Sequence, residues 1–415
     1  MVALSLSALF PSLRQSMTFF AGALFLQLIR CCSGLKIKNN AAPSEGGAQK
    51  PARRYRPMPP PTGVAPPDSI PKEVQAYAAM KPREPLVPYT YMLPSTTPPP
   101  GYVDVEISHC GICHSDVHQI DDAWKVACFP LVPGHEIVGR ITAVGEDVET
   151  RRKFAVGDRA AIGVQRGNCG ECSACECALE NVCPKITKTY AGPGKDKGGF
   201  ATCIRYPAAW TFSPPASLPS EYVGPLMCAG ITTYSPLKRF GKRGDKVGII
   251  GIGGLGHIAL QFGKAMGFAE VVAISRSPNK EAEARGFGAT GFLITEDAAA
   301  MASHAGTFDL ILNTVSGHAP FDGYLSLLKP RGAIACVGLP EKDQKSQMWL
   351  QSIVPTERTL AGSYLGPYDD YQEMLDFSAA HGIKPKVELM PAADVNAAIA
   401  KVRNNTARYR IVLEF

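Results

Sequence analysis

The sequence predicts an α/β protein in which a β-rich part comes first and a doubly wound parallel sheet follows. Three observations carry this reading. The 415 residues are 45% hydrophobic and 19% charged, with mean hydropathy −0.02, a globular balance that excludes a mostly disordered, collagen-like or polytopic membrane chain and leaves room for two or three domains. Between Glu106 and Ala209 helical periodicity is scarce, and the β-branched runs Val103–Ser108 and Ile137–Val144 are bounded by Gly and Pro, as strands are. From about Tyr222 onward, buried-type strands alternate with helix-forming stretches, the signature of a parallel sheet with crossover helices.

The N-terminal stretch stands apart from both halves. Residues 1–72 hold nine Lys and Arg against two Asp and Glu, so the remaining 343 residues are close to neutral. A neutral body argues against nucleic acid as a partner. Of the two early apolar runs, Val2–Phe10 and Thr18–Ile29, the longer has twelve residues; as a helix it reaches ~18 Å, too short for ~30 Å of hydrocarbon, so no stable membrane span is expected. From Pro51 to Pro71 eight of 21 residues are proline, an extended linker without a core. Three origins fit residues 1–72: an organellar transit peptide, a start codon placed too early, or a secretory h-region, the last disfavoured because it would carry reduced thiols into an oxidising compartment. The expected location is the cytoplasm, or a plastid or mitochondrion if the stretch is a transit peptide.

Next in order, Pro98-Pro99-Pro100 precedes the strand Val103–Ser108, which reads as the first core strand. Five of the thirteen cysteines then crowd between Cys169 and Cys183. Cys169, Cys172, Cys175 and Cys183 form C-x2-C-x2-C-x7-C, in which three thiolates wrap one face of a small ion and the fourth closes a tetrahedron. Four thiolates on zinc make a closed structural site. An iron–sulfur cluster also takes four, but usual ferredoxin spacing has a shorter last gap followed by proline. Cys177 breaks the rhythm and reads as a bystander.

A second cysteine pair, Cys110 and Cys113, has no partner pair. Twenty-two residues after Cys113 stands His135 in Pro133-Gly134-His135-Glu136, and Cys228 opens the α/β half. Two thiolates with one imidazole leave one zinc position open for chemistry.

The α/β half begins with the strand Val247–Ile250. After it comes Gly251-Ile252-Gly253-Gly254-Leu255-Gly256, a G-x-G-x-x-G turn leading into the apolar-periodic helix Leu255–Met266. Gly251 permits the turn, Gly253 lets a pyrophosphate approach the backbone, and Gly256 lets helix and strand close up. Between a strand and a helix, such a turn suits a bound dinucleotide. The following strand, Val271–Ile274, ends in Ser275-Arg276-Ser277-Pro278-Asn279-Lys280. No carboxylate stands where an NAD enzyme accepts the ribose diol; two hydroxyls, Arg276 and Lys280 suit a 2′-phosphate instead, and so NADP(H). Helix formers occupy Asn279–Arg285, strand signals recur at Phe308–Leu312 and Ala333–Val337, the stretches Tyr371–His381 and Val395–Val402 read as helices, and Tyr409–Glu414 as the last strand.

Together these motifs resemble the zinc-dependent medium-chain alcohol dehydrogenases, closest to the NADP-dependent cinnamyl alcohol dehydrogenase branch, over Val74 to Phe415. Tyr89–Thr90, Cys110–His118, Phe129–Gly139, Cys228–Leu237, Asn313–Ser316 and Arg408–Val412 all fit. The resemblance implies a GroES-like β-rich catalytic domain, residues 73–222 with 365–415, around an inserted Rossmann domain, residues 223–364. It implies a catalytic zinc on Cys113, His135 and Cys228, and a structural zinc on Cys169, Cys172, Cys175 and Cys183. Asp116 would orient His135, and Glu136 would stand beside the metal. Thr232, Thr314, Gly338 and Ser363 would line the cofactor and Trp124 the substrate pocket, and the chain would form a homodimer through the Rossmann sheet edge.

The activity so implied is hydride transfer between NADP(H) and a primary alcohol or aldehyde, aromatic ones of the cinnamyl type included, with the proton passing by Ser115 and the nicotinamide ribose to His118. Two alternatives stand beside it. A reductase of activated C=C or C=N bonds on the same scaffold would have no use for the Ser115–His118 path. A zinc-stabilised nucleotide-binding protein without turnover would have no use for the open ligand set.

Overall fold

The computed structural model describes residues 72–148, 154–190, 196–317 and 319–415. The readings made of residues 1–71 and 149–153 lie outside the described residues. Lys72, placed by sequence in the N-terminal extension, is already the first residue of a strand.

Seventeen strands are described. β1 (Lys72–Ala78) and β2 (Val87–Leu93) form an antiparallel pair. This corrects the expectation that the core begins after Pro98–Pro100. β1 points Val74, Ala76 and Ala78 inward, and bridges at Ala76–Ala201 and Ala79–Leu131 fasten it to the body. Such alternation of buried and exposed residues is a strand signal, and it lies ahead of the proline run.

The larger sheet of the first half contains β3 (Tyr102–Ile112), β4 (Glu136–Val144), β5 (Arg159–Ile162), β8 (Cys203–Pro207) and β9 (Thr211–Phe212). β6 (Gln165–Gly167) and β7 (Thr187–Lys188) make a small separate hairpin that flanks the cysteine-rich lobe. The chain returns at its end: β16 (Val387–Pro391) and β17 (Arg410–Glu414) join this sheet, giving the order β16-β17-β3-β4-β5-β9, with β8 also on β3. Eleven residues long, β3 is the spine, and its Val103, Val105, Ile107 and Cys110 are buried. A buried bidentate pair, Arg205 Nε to Asp104 Oδ1 at 2.7 Å and Nη2 to Oδ2 at 2.9 Å, ties β8 to β3; the fork geometry satisfies both charges where water is excluded.

Between the two visits to that sheet, six parallel strands build a second one: β10 (Lys246–Ile250), β11 (Glu270–Ser275), β12 (Gly291–Ile294), β13 (Phe308–Asn313), β14 (Leu328–Cys336) and β15 (Thr359–Gly362). Their order is β12-β11-β10-β13-β14-β15. The winding direction therefore reverses between β10 and β13, and the crevice beyond the carboxyl ends of such a pair is where open α/β sheets bind ligands. Helices Gly256–Ala265, Glu281–Gly286, Ala298–Ser303 and Phe321–Ser326 make the crossovers. β10, β11, β13 and the helices Gly256–Ala265 and Glu281–Gly286 fall within two residues of the sequence expectation, with Pro278–Lys280 forming a 3-10 turn ahead of the second helix. β14 begins five residues before the expected Ala333, and β12, β15 and the helices Ala298–Ser303 and Phe321–Ser326 have no counterpart in that expectation. Among the described residues no helix is long and apolar enough to cross a membrane.

Candidate active site

Sheet register explains why the first ligand group assembles. β3 pairs with β4 so that Gly111 faces Glu136, and with β17 so that Ile112 faces Ile411. The end of β3 and the starts of β4 and β17 are thus neighbours, which brings Cys113, His135–Glu136 and Arg410 to one corner. Cys113 is also the N-cap of the helix His114–Ile120. Its backbone N–H donates to Asp116 Oδ2 at 2.8 Å, and its sulfur accepts from Ser115 N–H at 3.4 Å, a capping box. Cys228 comes from the other half, on a π-helical turn, Leu226–Gly230, between helices Ser220–Pro225 and Ile231–Phe240. Such turns concentrate at functional sites because they re-aim a side chain.

The ligand atoms of Cys113, His135, Glu136 and Cys228, all buried, lie within 4.8 Å of one another. Cys113 Sγ and Cys228 Sγ are 3.9 Å apart, and His135 Nε2 is 3.2 Å from Cys228 Sγ. Zinc–sulfur bonds of ~2.3 Å in a tetrahedron place sulfurs ~3.8 Å apart, so the two thiols already stand at ligand spacing. Accepting a hydrogen bond from Cys228 holds the Cys113 thiol well below its ordinary value, while the Cys228 thiol is pushed up. Cys169, Cys172, Cys175 and Cys183 form the second group, also within 4.8 Å. The sulfurs of Cys172 and Cys175 and of Cys169 and Cys183 are 3.5 Å apart, those of Cys172 and Cys183 3.8 Å, and Cys175 accepts from Asn168 Nδ2 at 3.2 Å. Cys177 is exposed and outside the group.

Asp116 Oδ1 sits 3.2 Å from His135 Nδ1 and accepts from Gly134 N–H at 2.9 Å. The sequence reading missed a third partner: the buried Tyr190 hydroxyl donates to the same oxygen, and its ring stacks on His135 with centroids 5.7 Å apart. It missed Arg410 as well. The Glu136 carboxyl, pushed up by burial to about 7, accepts from Arg410 Nη2 through Oε1, while Oε2 has no partner among the described residues. The only advance signal for Arg410 was a cation opening the last strand.

A cleft runs from this corner to the parallel sheet. Cys113, His135 and Cys228 line it together with Ser115, His118 and Trp124. On the far wall are Thr232, Leu255, Thr314, Gly338 and Ser363. The His118 ring lies 5.0 Å from Trp124, whose Nε1 donates to Pro340 O at 3.1 Å across the cleft. Burial, with His114 next to it, lowers the His118 pKa.

The glycine turn lies just beyond. Gly251 has φ +86°, and a methyl there would meet Thr314 Oγ1 and Val315 Cγ2 at 2.9 Å; one at Gly256 would lie 1.9 Å from Gly251 O. Gly253 faces open space, whereas Gly254 is covered by the Arg410 side chain at 3.1 Å. Thr314 Oγ1 donates to Ile250 O at 2.8 Å, joining the ends of β10 and β13. Ser275 ends β11, and Arg276 and Ser277 follow it. Arg276 is exposed, but Lys280 Nζ donates to Ile252 O at 2.8 Å, inside the glycine turn. His257, also missed, donates from Nδ1 to Gly253 O at 2.9 Å and accepts Lys386 N–H at Nε2 at 3.0 Å.

A β sheet to which the chain returns with β16 and β17, a parallel sheet built between the two visits and a cleft where the two meet define a dinucleotide-dependent dehydrogenase. Comparison with known proteins agrees. Residues 99–216 match the alcohol dehydrogenase GroES-like domain and residues 254–380 the zinc-binding dehydrogenase family. The chain is 44% identical to the probable formaldehyde dehydrogenase AdhA of Bacillus subtilis over 76% of its own length and 90% of that protein. It is 41% identical to cinnamyl alcohol dehydrogenase 2 of Arabidopsis thaliana over 75% and 84%. The structure of CAD from Helicobacter pylori complexed with NADP(H) superposes with a TM-score of 0.76 at 32% identity, covering 83% of this chain and 99% of that one. The chain belongs to the zinc-dependent medium-chain alcohol dehydrogenases, in their cinnamyl alcohol dehydrogenase-like branch.

Proposed function

We propose that the chain reduces aldehydes to primary alcohols, and the reverse, with NADP(H), using one catalytic and one structural zinc. The observation that carries this is the open Cys113–His135–Cys228 set in the same cleft as the ends of the dinucleotide strands. When bound, zinc supplies Lewis acidity at the substrate oxygen and the dinucleotide exchanges the hydride. The protein does the rest. Asp116, held by Gly134 N–H and Tyr190, fixes the ring of His135, the support that metal-bound imidazoles need. Ser115 and His118 line the path by which a hydroxyl proton leaves, and a lowered His118 pKa keeps that imidazole neutral and able to accept it at pH 7. Trp124 walls the substrate space; Thr232, Thr314, Gly338 and Ser363 face the nicotinamide end; Gly251, Gly253, Gly254, Leu255 and Gly256 hold the pyrophosphate. Ser275, Arg276, Ser277 and Lys280 stand at the adenosine end, without a carboxylate to repel a 2′-phosphate. Glu136, paired with Arg410, is the spare carboxylate beside the metal.

A homodimer is part of the proposal. β15 has a neighbour on one side only, and the exposed Trp349, Leu350, Val354 and Leu360 lie on it or just before it.

The test is metal analysis with turnover on purified protein. Two zinc ions per chain are expected, with NADPH-dependent conversion of cinnamaldehyde to cinnamyl alcohol. Cys113→Ser should abolish turnover with circular dichroism unchanged. Saturation of the C=C bond in place of carbonyl reduction, or fewer than two zinc ions per chain, would refute the reading.

A further inference from the structure

Among the described residues lining the cleft, Lys188 is the one Lys, Arg, Asp or Glu. It ends the β6–β7 hairpin, where its register partner is Gln165, and Thr189 and Tyr190 after it line the same wall. The return from the four-cysteine lobe therefore sets its place. Its ammonium lies 5.8 Å from the ring centroid of Tyr364, another cleft residue, and it forms no ion pair among the described residues. A face-on ring at that distance attracts a cation only modestly.

The surroundings do not neutralise it. Asp116 and Glu136 are engaged behind the ligand set, by Tyr190 and His135 and by Arg410 respectively. Cys113 and Cys228, as thiolates, would balance a divalent ion. With the centre loaded, Lys188 is the sole Lys, Arg, Asp or Glu among the described cleft-lining residues; the Glu341 carboxylate, 3.9 Å from His118 Nδ1, stands outside that lining. The rest of that wall is largely apolar, with Trp124, Val164, Leu339 and Leu365. In a mostly apolar pocket a few placed polar groups decide orientation and selectivity, and in a cleft walled by protein a single cation acts through a lower dielectric than water.

We propose that Lys188 makes this enzyme selective for aldehydes and alcohols that carry an anion, a carboxylate or a phosphate, remote from the reacting carbon. The inference rests on the aldehyde-reductase reading above and names its substrate class. No cofactor phosphate is needed to explain the lysine, because the glycine turn and the Ser275–Lys280 segment lie outside the cleft lining apart from Leu255.

The experiment compares acids with their neutral esters at equal NADPH: 4-carboxybenzaldehyde against its methyl ester, and succinic semialdehyde against its methyl ester. Glyceraldehyde 3-phosphate against glyceraldehyde provides the phosphate arm. The expected kcat/KM ratio of anion to neutral partner is about tenfold or more in at least one pair, which corresponds to ~1.4 kcal/mol, and it falls in 0.5 M NaCl as the charge is screened. Lys188→Gln should bring that ratio close to one, Lys188→Glu below one, and Lys188→Arg should retain it. Equal rates for acid and ester in every pair would overturn the proposal, as would a ratio that survives Lys188→Gln. If Lys188→Gln instead weakens NADPH binding, followed by cofactor fluorescence, and spares the ratio, the lysine serves the dinucleotide and the proposal fails. Failure of both acid and ester to react would overturn the aldehyde reading itself, and this inference with it.

Discussion

Arg276 and Lys280 stand four positions apart after β11, yet their surroundings give them different tasks. Both are exposed, but only the Lys280 ammonium has a described hydrogen bond, to the carbonyl of Ile252, and it lies 5.7 Å from the Tyr409 ring centroid. Sequence alone pairs them as two cations for one phosphate. With Lys280 braced on the glycine turn, the proposed NADP(H) reading leaves Arg276 as the cation to discriminate between the two dinucleotides. Arg276→Ala is accordingly expected to weaken NADPH binding about tenfold, the lower end for a charge-assisted hydrogen bond at an exposed site, and to leave NADH nearly unchanged. Lys280→Met should weaken both dinucleotides by similar factors, because the turn is common to them. Fluorescence titration of the two cofactors separates these outcomes; loss of NADPH selectivity in Lys280→Met alone would contradict the assignment.

The element that best shows local sequence meeting tertiary demand is the helix Gly256–Ala265 with the turn that feeds it. Its His257 is fully buried, and burial lowers its pKa to about 3. The folded protein thus keeps a neutral imidazole, Nδ1–H on Gly253 O and Nε2 accepting Lys386 N–H. The unfolded chain protonates near 6.5. Between those values the unfolded state binds one more proton, so stability falls as pH drops below about 6.5 and continues to fall toward 3, by up to about 1.4 kcal/mol per pH unit. Above 6.5 this residue contributes no pH dependence. Thermal or urea unfolding at pH 7.5, 6.5 and 5.5 should show a steeper loss in the native protein than in His257→Gln, which cannot titrate. Equal slopes would show that other groups dominate.

At the scale of the whole molecule, the edge of the parallel sheet is what one copy leaves open. A strand with one free side and exposed apolar neighbours invites pairing; Trp349 is 69% and Val354 67% exposed. Light scattering is expected to give about twice the 44.4 kDa chain mass. Leu360→Arg combined with Trp349→Asp should shift it to one chain mass without disturbing the zinc content, since both metal groups lie in other elements. A native protein that runs as a monomer at micromolar concentration would refute the dimer.

What close spacing can encode is already present in the amino-acid order. Four cysteines within fifteen residues and a glycine pattern between a strand and a helix are local, so their chemistry was legible before any fold was known, as was the alternation that marks a parallel sheet. Tertiary structure decided what depends on residues far apart in the chain. Tyr190, after the β6–β7 hairpin, meets Asp116 across 74 positions, and Arg410 meets Glu136 across 274 because β17 returns beside β3 after the whole parallel sheet has been built. Lys188 enters the cleft through the β6–β7 hairpin, whose residues line it together with residues of the second half. A side chain's charge is written in the sequence, but its partner and its exposure follow from which strands become neighbours, and long-range pairing sets that.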